Sequence, residues 1–173
     1  MNDSADRKII LTVCVAVYNI CDEFLRSCIE SLISDKYENV EILLGDDGSR
    51  RQTADICAEY AKKDLRVRHI RREANSGVSV TRNIMIQSAR GEWISFVDGD
   101  DAVLNGYSEC LCNAVKEAEH TYDIIMYEWE RFKGSVPPGK AVRVPPVPVP
   151  CRAARQFSEA CLTGAPPHTE EYG

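Results

Sequence analysis

Four short clusters of polar residues carry the chemistry this sequence can do. They are Tyr18-Asn19, Asp46-Asp47-Gly48-Ser49, Asn75-Ser76-Gly77 with Arg82 soon after, and Asp98-Gly99-Asp100-Asp101. The last places three carboxylates within four residues. Hard oxygens at that density suit a divalent cation, which can neutralise charge developing on a phosphate-bearing leaving group. Arg82 offers a charged, forked donor to the same phosphates. Tyr18 offers an apolar ring face for stacking while its phenol stays hydrated. Each cluster also has a plainer reading. Asp98 to Asp101 can be a solvated turn, with Asp101 or Asn105 capping the next helix. Asp46 and Asp47 can form an Asx-type turn with Ser49 capping the helix that follows, one aspartate serving the turn and the other a ligand. Tyr18 can be an ordinary aromatic at a strand end, and Arg82 a surface ion pair.

These clusters fall where regular elements break off. Ile9 to Val17 is an apolar, β-branched run interrupted only by Thr12, as in a central strand buried on both faces. A helix is predicted over Asp22 to Ser34, with Phe24, Leu25, Cys28, Leu32 and Ile33 on its inner stripe. Val40 to Leu44 is the second strand, with Glu41 its sole charge, and Gln52 to Lys63 has helical apolar spacing. Val67 to Ile70 is a short strand, Ser79 to Ala89 a helix closed near Gly91, and Trp93 to Val97 the strand that runs into the acidic cluster. Tyr107 to Ala118 is helical and Asp123 to Tyr127 is a further strand. The alternation predicts an α/β fold, a Rossmann-like, mostly parallel sheet with helices on both faces. Ligands bind such sheets beyond the carboxyl ends of the strands, where all four clusters lie. The arginines at 66, 68, 71 and 72 read as a solvated basic face, and His69, His120 and His168 receive no function.

In this order and at these strand ends the motifs are specific. Val13-Cys14-Val15-Ala16-Val17-Tyr18-Asn19 resembles the opening strand of the family 2 glycosyltransferases. Asp46-Asp47-Gly48-Ser49 is similar to that family's second-strand motif. Asn75 to Asn83 resembles its N-x-G-x-x-x-A-R-N segment, with Thr81 where alanine is usual. Gly91 to Asp101 resembles the strand leading into its D-x-D motif. The resemblance covers roughly residues 9 to 130 and implies a GT-A type fold, incomplete at the C-terminus. It also implies a nucleotide-diphospho-sugar donor, a UDP-sugar by expectation, bound by Ala16, Tyr18, Asn19, Asp47, Asn75, Gly77, Arg82, Asp98 and Asp100. Within that set Asp47 would accept from the pyrimidine N–H and Tyr18 would stack on the base. Asp100 and Asp101 would hold Mn2+ or Mg2+, with Asp98 alongside. The acceptor would be a polysaccharide or lipid-linked glycan and the mechanism inverting.

An inverting transferase also needs a general base for the acceptor hydroxyl. By the resemblance that carboxylate lies well beyond the D-x-D, and only Glu170 and Glu171 remain there, in a short polar tail. No catalytic residue is assigned, and the chain is expected to be a truncated form. A catalytically incomplete nucleotide-sugar-binding or scaffolding module therefore stands beside the enzyme, and the two differ in whether binding is accompanied by transfer or hydrolysis. Other doubly wound domains fit less well. A phosphorelay receiver wants a lysine ending a late strand, where this chain has Tyr127-Glu128-Trp129. A dinucleotide oxidoreductase wants a glycine-rich turn after the first strand, and Tyr18-Asn19-Ile20 stands there instead.

The net charge of -6 excludes nucleic acid as an expected partner, because the overall field repels it. No apolar run approaches the roughly 20 residues of a spanning helix, and no signal peptide is evident. The expected location is the cytoplasm, with the inner face of the membrane as a place of peripheral association. Exposed apolar sheet in a truncated domain would favour homo-oligomers. The eight cysteines lack zinc-like pairing and read as free thiols. All eight prolines follow Val136, which divides the chain into a nucleotide-sugar-binding α/β domain (1–136), a proline-rich connector (137–150) and a C-terminal helix and tail (151–173). The proline-rich stretch 145–150 is unusual inside such a fold, and the last few dozen residues are expected to leave the family's course.

Overall fold

The computed structural model describes residues 8–118, 122–126 and 147–150. Strands β1 (Leu11–Val17), β2 (Val40–Asp46), β3 (Val67–Arg71) and β4 (Trp93–Asp98) form one parallel sheet in the order β3-β2-β1-β4. The crossovers are helices α1 (Asp22–Ser34), α2 (Arg51–Lys63) and α3 (Val78–Ser88), and α4 (Tyr107–Ala118) follows β4. β1 and β2 are buried along nearly their whole length, which explains why they read as continuous apolar runs rather than alternating ones.

Helices cover both faces. On one face the odd-numbered residues of β1, Leu11 to Val17, pack with Ile42, Leu44 and Val97 against α1, α2 and the start of α4. The α1 stripe is Leu25, Cys28, Ile29 and Leu32, an i, i+3, i+4, i+7 set; Phe24, expected on it, is 55% exposed because it projects from the neighbouring face. Burying each large aliphatic of this stripe contributes about 1.5–3 kcal/mol. On the other face Cys14, Leu43 and Met85 form a smaller cluster under α3.

Glu41, the charge inside β2, is 2% exposed and fully partnered. It accepts from Thr12 Oγ1 (2.8 Å), Arg68 Nη1 (2.5 Å) and the Arg90 amide (3.0 Å). Gly91 does not close α3. The helix ends at Ala89, which is extended, and Gly91 lies so close to β1 that a Cβ would sit 2.5 Å from the Thr12 nitrogen.

The sheet differs from the expected one at its far end. β5 (Tyr122–Met126) pairs antiparallel with β6 (Val147–Pro150) in a separate two-stranded sheet, so the last residues of the proline-rich stretch are a strand. Proline lacks an N–H, which confines it to edges, and a two-stranded sheet is all edge. The described residues fall into two compact units, one running to Cys112 and the other holding β5 and β6. No helix among them is long and apolar enough to cross a membrane. The helix expected over Arg152 to Leu162, the two tail glutamates, Cys151, Cys161, His120 and His168 lie outside the described residues. The other six cysteines are free thiols, and burial pushes Cys14, Cys28 and Cys57 up to about 12.

Candidate functional site

Parallel pairing sets the carboxyl ends of four strands along one edge. Val17 is level with Asp46, Asp46 with Arg71, and Ala16 with both Gly45 and Asp98. β2 runs two residues further than expected, so Asp46 belongs to the strand and Asp47 begins the turn.

The two aspartates have separate partners. Asp46, wholly buried, accepts from the Ser49 amide at 2.8 Å and lies 3.5 Å from His69 Nε2 and 3.6 Å from Arg71 Nε. Burial works to raise its pKa, but contacts with His69 and Ser49 outweigh that and hold it below the usual carboxylate value. Asp47 is 3% exposed and accepts from the amides of Ser76 (3.0 Å) and Gly77 (2.8 Å) and from Arg72 Nη1 (3.3 Å). One carboxylate thus makes the turn and the other ties the β2 turn to the start of α3. Gly48, at φ +73, lets that turn approach the Ala74–Asn75 backbone so closely that a Cβ would lie 2.7 Å from it.

Ser49 does not cap α2. Its Oγ accepts from the Asn19 amide at 3.1 Å, and Asn19 Oδ1 accepts from the Arg50 amide at 2.8 Å. Asn19 is left-handed, φ 50, a conformation asparagine tolerates better than most residues. The β1 and β2 loops are therefore stitched together through Asn19. Tyr18 beside it is 50% exposed, and Asn75 is exposed as well.

On the other side of the edge Arg82 Nη2 donates to Asp98 Oδ1 at 2.8 Å, and its guanidinium lies 5.5 Å from the Phe96 ring centre. Arg82 Nε is buried without an acceptor. Asp100 and Asp101 are exposed. Partial burial, then the charges of Asp100 and Asp98, raise the Asp101 carboxyl above its usual range. Among the described residues no three His, Cys, Asp or Glu side chains converge on an ion site. In the first turn of α4 the Ser108 amide donates to Asp35 Oδ2 at 2.7 Å.

The basic residues around β3 are not a solvated face. Arg66 donates to the carbonyls of Ile33, Asp35 and Tyr37 and pairs with Asp64; Arg68 serves Glu41, and Arg72 serves Asp47. Their partners lie far away in sequence apart from Asp64, and only the strand register brings them together.

The sequence profile described as Glycosyl transferase family 2 matches residues 12–163. The chain belongs to this family. The match extends past the proline-rich stretch, so most of the residues expected to leave the family's course lie within it. The chain is 35% identical over 125 residues to glycosyltransferase GlyA of Streptococcus pneumoniae, covering 72% of this chain and 17% of GlyA. It is 34% identical over 116 residues to the minor teichoic acid biosynthesis protein GgaB of Bacillus subtilis, covering 66% of this chain and 13% of GgaB. The fold is similar to that of S. aureus TarS in complex with UDP-GlcNAc, with a TM-score of 0.58 and 28% identity over 64% of this chain and 32% of that one. The α/β fold is thus of the GT-A type. The chain spans well under half the length of these relatives.

Proposed function

We propose that this family 2 chain is the nucleotide-sugar-binding part of a glycosyltransferase. It takes a UDP-sugar with a divalent cation, Mn2+ or Mg2+, and serves the inverting glycosylation of a polysaccharide or lipid-linked acceptor. The observation that carries the reading is the edge itself. Tyr18, the Asp47 clamp, the start of α3, Arg82 and the acidic turn end neighbouring elements of one parallel sheet. TarS, the related structure with UDP-GlcNAc, supports a uridine donor, and the teichoic acid relative supports a polymeric glycan acceptor.

The roles are those the family resemblance implies, and exposure and charge support them for Tyr18 and the acidic turn. Tyr18 stacks on the base. Asp47 accepts from the pyrimidine N–H with what capacity its protein partners leave, and through Ser76 and Gly77 it fixes the amino end of α3. Ala16, Asn19, Asn75 and Gly77 line the nucleotide, Asp98 lies alongside, and Asp100 serves the ribose or the ion. The unsatisfied Arg82 Nε is a ready donor to a phosphate oxygen.

The donor set fits a hard divalent cation. Asp100 and Asp101 supply two carboxylates, and partial burial, then the charges of Asp100 and Asp98, raise the Asp101 carboxyl in the protein alone. Phosphate oxygens and water complete a Mg2+- or Mn2+-type shell, so a preformed three-carboxylate cage is unnecessary. When bound, the ion neutralises charge on the departing diphosphate.

The test is a panel of UDP, GDP and CDP, followed by UDP-sugars, with manganese present. Tighter binding of UDP than of GDP and CDP, with UDP released slowly from one UDP-sugar, supports the reading. Equal binding of all three nucleotides rules out the uridine preference.

A further inference from the structure

The roles proposed above leave α1 unused, yet Cys28, Ser31 and the C-cap residue Asp35 reach the chain around the acidic turn. Cys28 Sγ lies 3.6 Å from the Asp98 carbonyl oxygen and donates to it. Burial, and then the charges of Asp101, Asp100 and Asp98, push this thiol up to about 12, so it keeps the proton it donates. Ser31 Oγ accepts from the Val103 amide at 3.0 Å while donating to the Cys28 carbonyl at 2.7 Å. Asp35 Oδ2 accepts from the Ser108 amide at 2.7 Å. Residues 28, 31 and 35 follow i, i+3, i+7 spacing and so share one face of α1, with Asp35 at its C-terminal cap. Their three targets bracket the turn from its first residue to the first turn of α4.

The turn is pinned from below as well. The Asp98 carbonyl also accepts from the Asp101 amide at 2.9 Å. Gly99 is pressed against β1, where a Cβ would lie 2.4 Å from Ile20 Cδ1 and 3.0 Å from the Ala16 carbonyl oxygen. The backbone of the turn is thereby fixed at both ends while Asp100 and Asp101 point free.

We infer that the polar stripe Cys28-Ser31-Asp35 is a positioning device for the acidic turn, with Ser31 and Asp35 as positioning residues for the cation-dependent part of donor binding. Three like-charged carboxylates repel one another, and a loop free to relax would let them diverge. Held from α1, they stay close enough for two to meet one ion. The inference rests on the donor-site reading above and deepens it.

The test compares wild type with Ser31→Ala, Asp35→Ala and the conservative Ser31→Thr. UDP affinity is measured with manganese and in EDTA, uridine affinity is measured alongside, and amide exchange is followed at Val103 and Ser108. The expected result is that Ser31→Ala and Asp35→Ala each lose the manganese-dependent gain in UDP affinity by about tenfold, as one lost backbone-anchoring hydrogen bond would give. Uridine affinity stays within twofold, exchange quickens at Val103 and Ser108 respectively, and Ser31→Thr restores most of the gain. An unchanged manganese gain in both variants overturns the inference, and so does an equal fall in uridine affinity, which marks general loosening of the fold. A wild type whose UDP binding ignores manganese overturns the donor-site reading and takes this inference with it. That outcome is distinguished by the wild type alone.

Discussion

Arg82 and Asp98 face each other across 2.8 Å, joining α3 to the end of β4. Each is more than a third exposed on its side chain, so the pair adds little stability by itself. Its interest lies in what it withholds. The arginine that suits a diphosphate is held by a carboxylate of the acidic turn.

A bound diphosphate would share the guanidinium with Asp98, taking the unpaired Nε. Arg82→Ala is expected to lower UDP affinity in manganese about tenfold or more, the scale of a lost charge-assisted hydrogen bond. Arg82→Lys should fall between the two, since a point charge replaces a fork. Uridine, which has no phosphate, should bind both variants as it binds wild type. Calorimetry on the three proteins checks this.

Asp47 is expected to matter to the fold as well as to the ligand. Asp47→Asn turns a carboxylate that meets only donors into an amide, whose N–H2 must face one of the N–H groups of Ser76, Gly77 or Arg72. A loss of about 1–3 kcal/mol is expected from an unsatisfied buried donor. Urea unfolding measures it, and a midpoint equal to wild type would remove the clamp from the account.

Much of this edge was legible beforehand. The alternation of elements, the four clusters and their place at the strand ends could all be read from runs of β-branched residues ending in aspartate or asparagine. What could not be read was pairing across the sheet. Arg72 meets Asp47, Asn19 meets Ser49, and Arg68 meets Glu41 through register, and nothing local in the sequence marks those contacts. Phe24 lies off the stripe because six apolar residues crowd α1 and the buried stripe admits only part of them. The 28-31-35 spacing is visible in the sequence, but with Cys28 on the apolar stripe nothing marks Ser31 and Asp35 as its companions until their partners are known.

The acid limb of stability has a defined sign. Asp46, despite its burial, and Asp64, through its hydrogen bonds with Arg66, titrate below their ordinary values in the folded chain. Their contribution is fully present above the unfolded value of about 4 and is lost as pH falls through the lower folded values. Urea midpoints measured from pH 6 down to pH 3 should decline most steeply at the acid end. The Asp46→Asn protein should show a shallower decline from a lower plateau.

Asp101 carries the opposite sign. Its carboxyl is raised, so the folded chain is penalised for ionising it at neutral pH, and the penalty is relieved as pH falls through the raised value. Asp101→Asn is expected to have a thermal midpoint at or above wild type at pH 7 without metal. Manganese should raise the wild-type midpoint in the presence of UDP and leave that of the variant unmoved.

Everything above converges on a uridine-diphosphate site at the end of β4, completed by a cation. Its most direct test is titration of UDP into the purified protein with manganese and in EDTA, repeated on Asp101→Ala. Binding should strengthen with manganese and lose that gain in the variant. Absence of UDP binding under every condition, or a manganese effect untouched by Asp101→Ala, would contradict it.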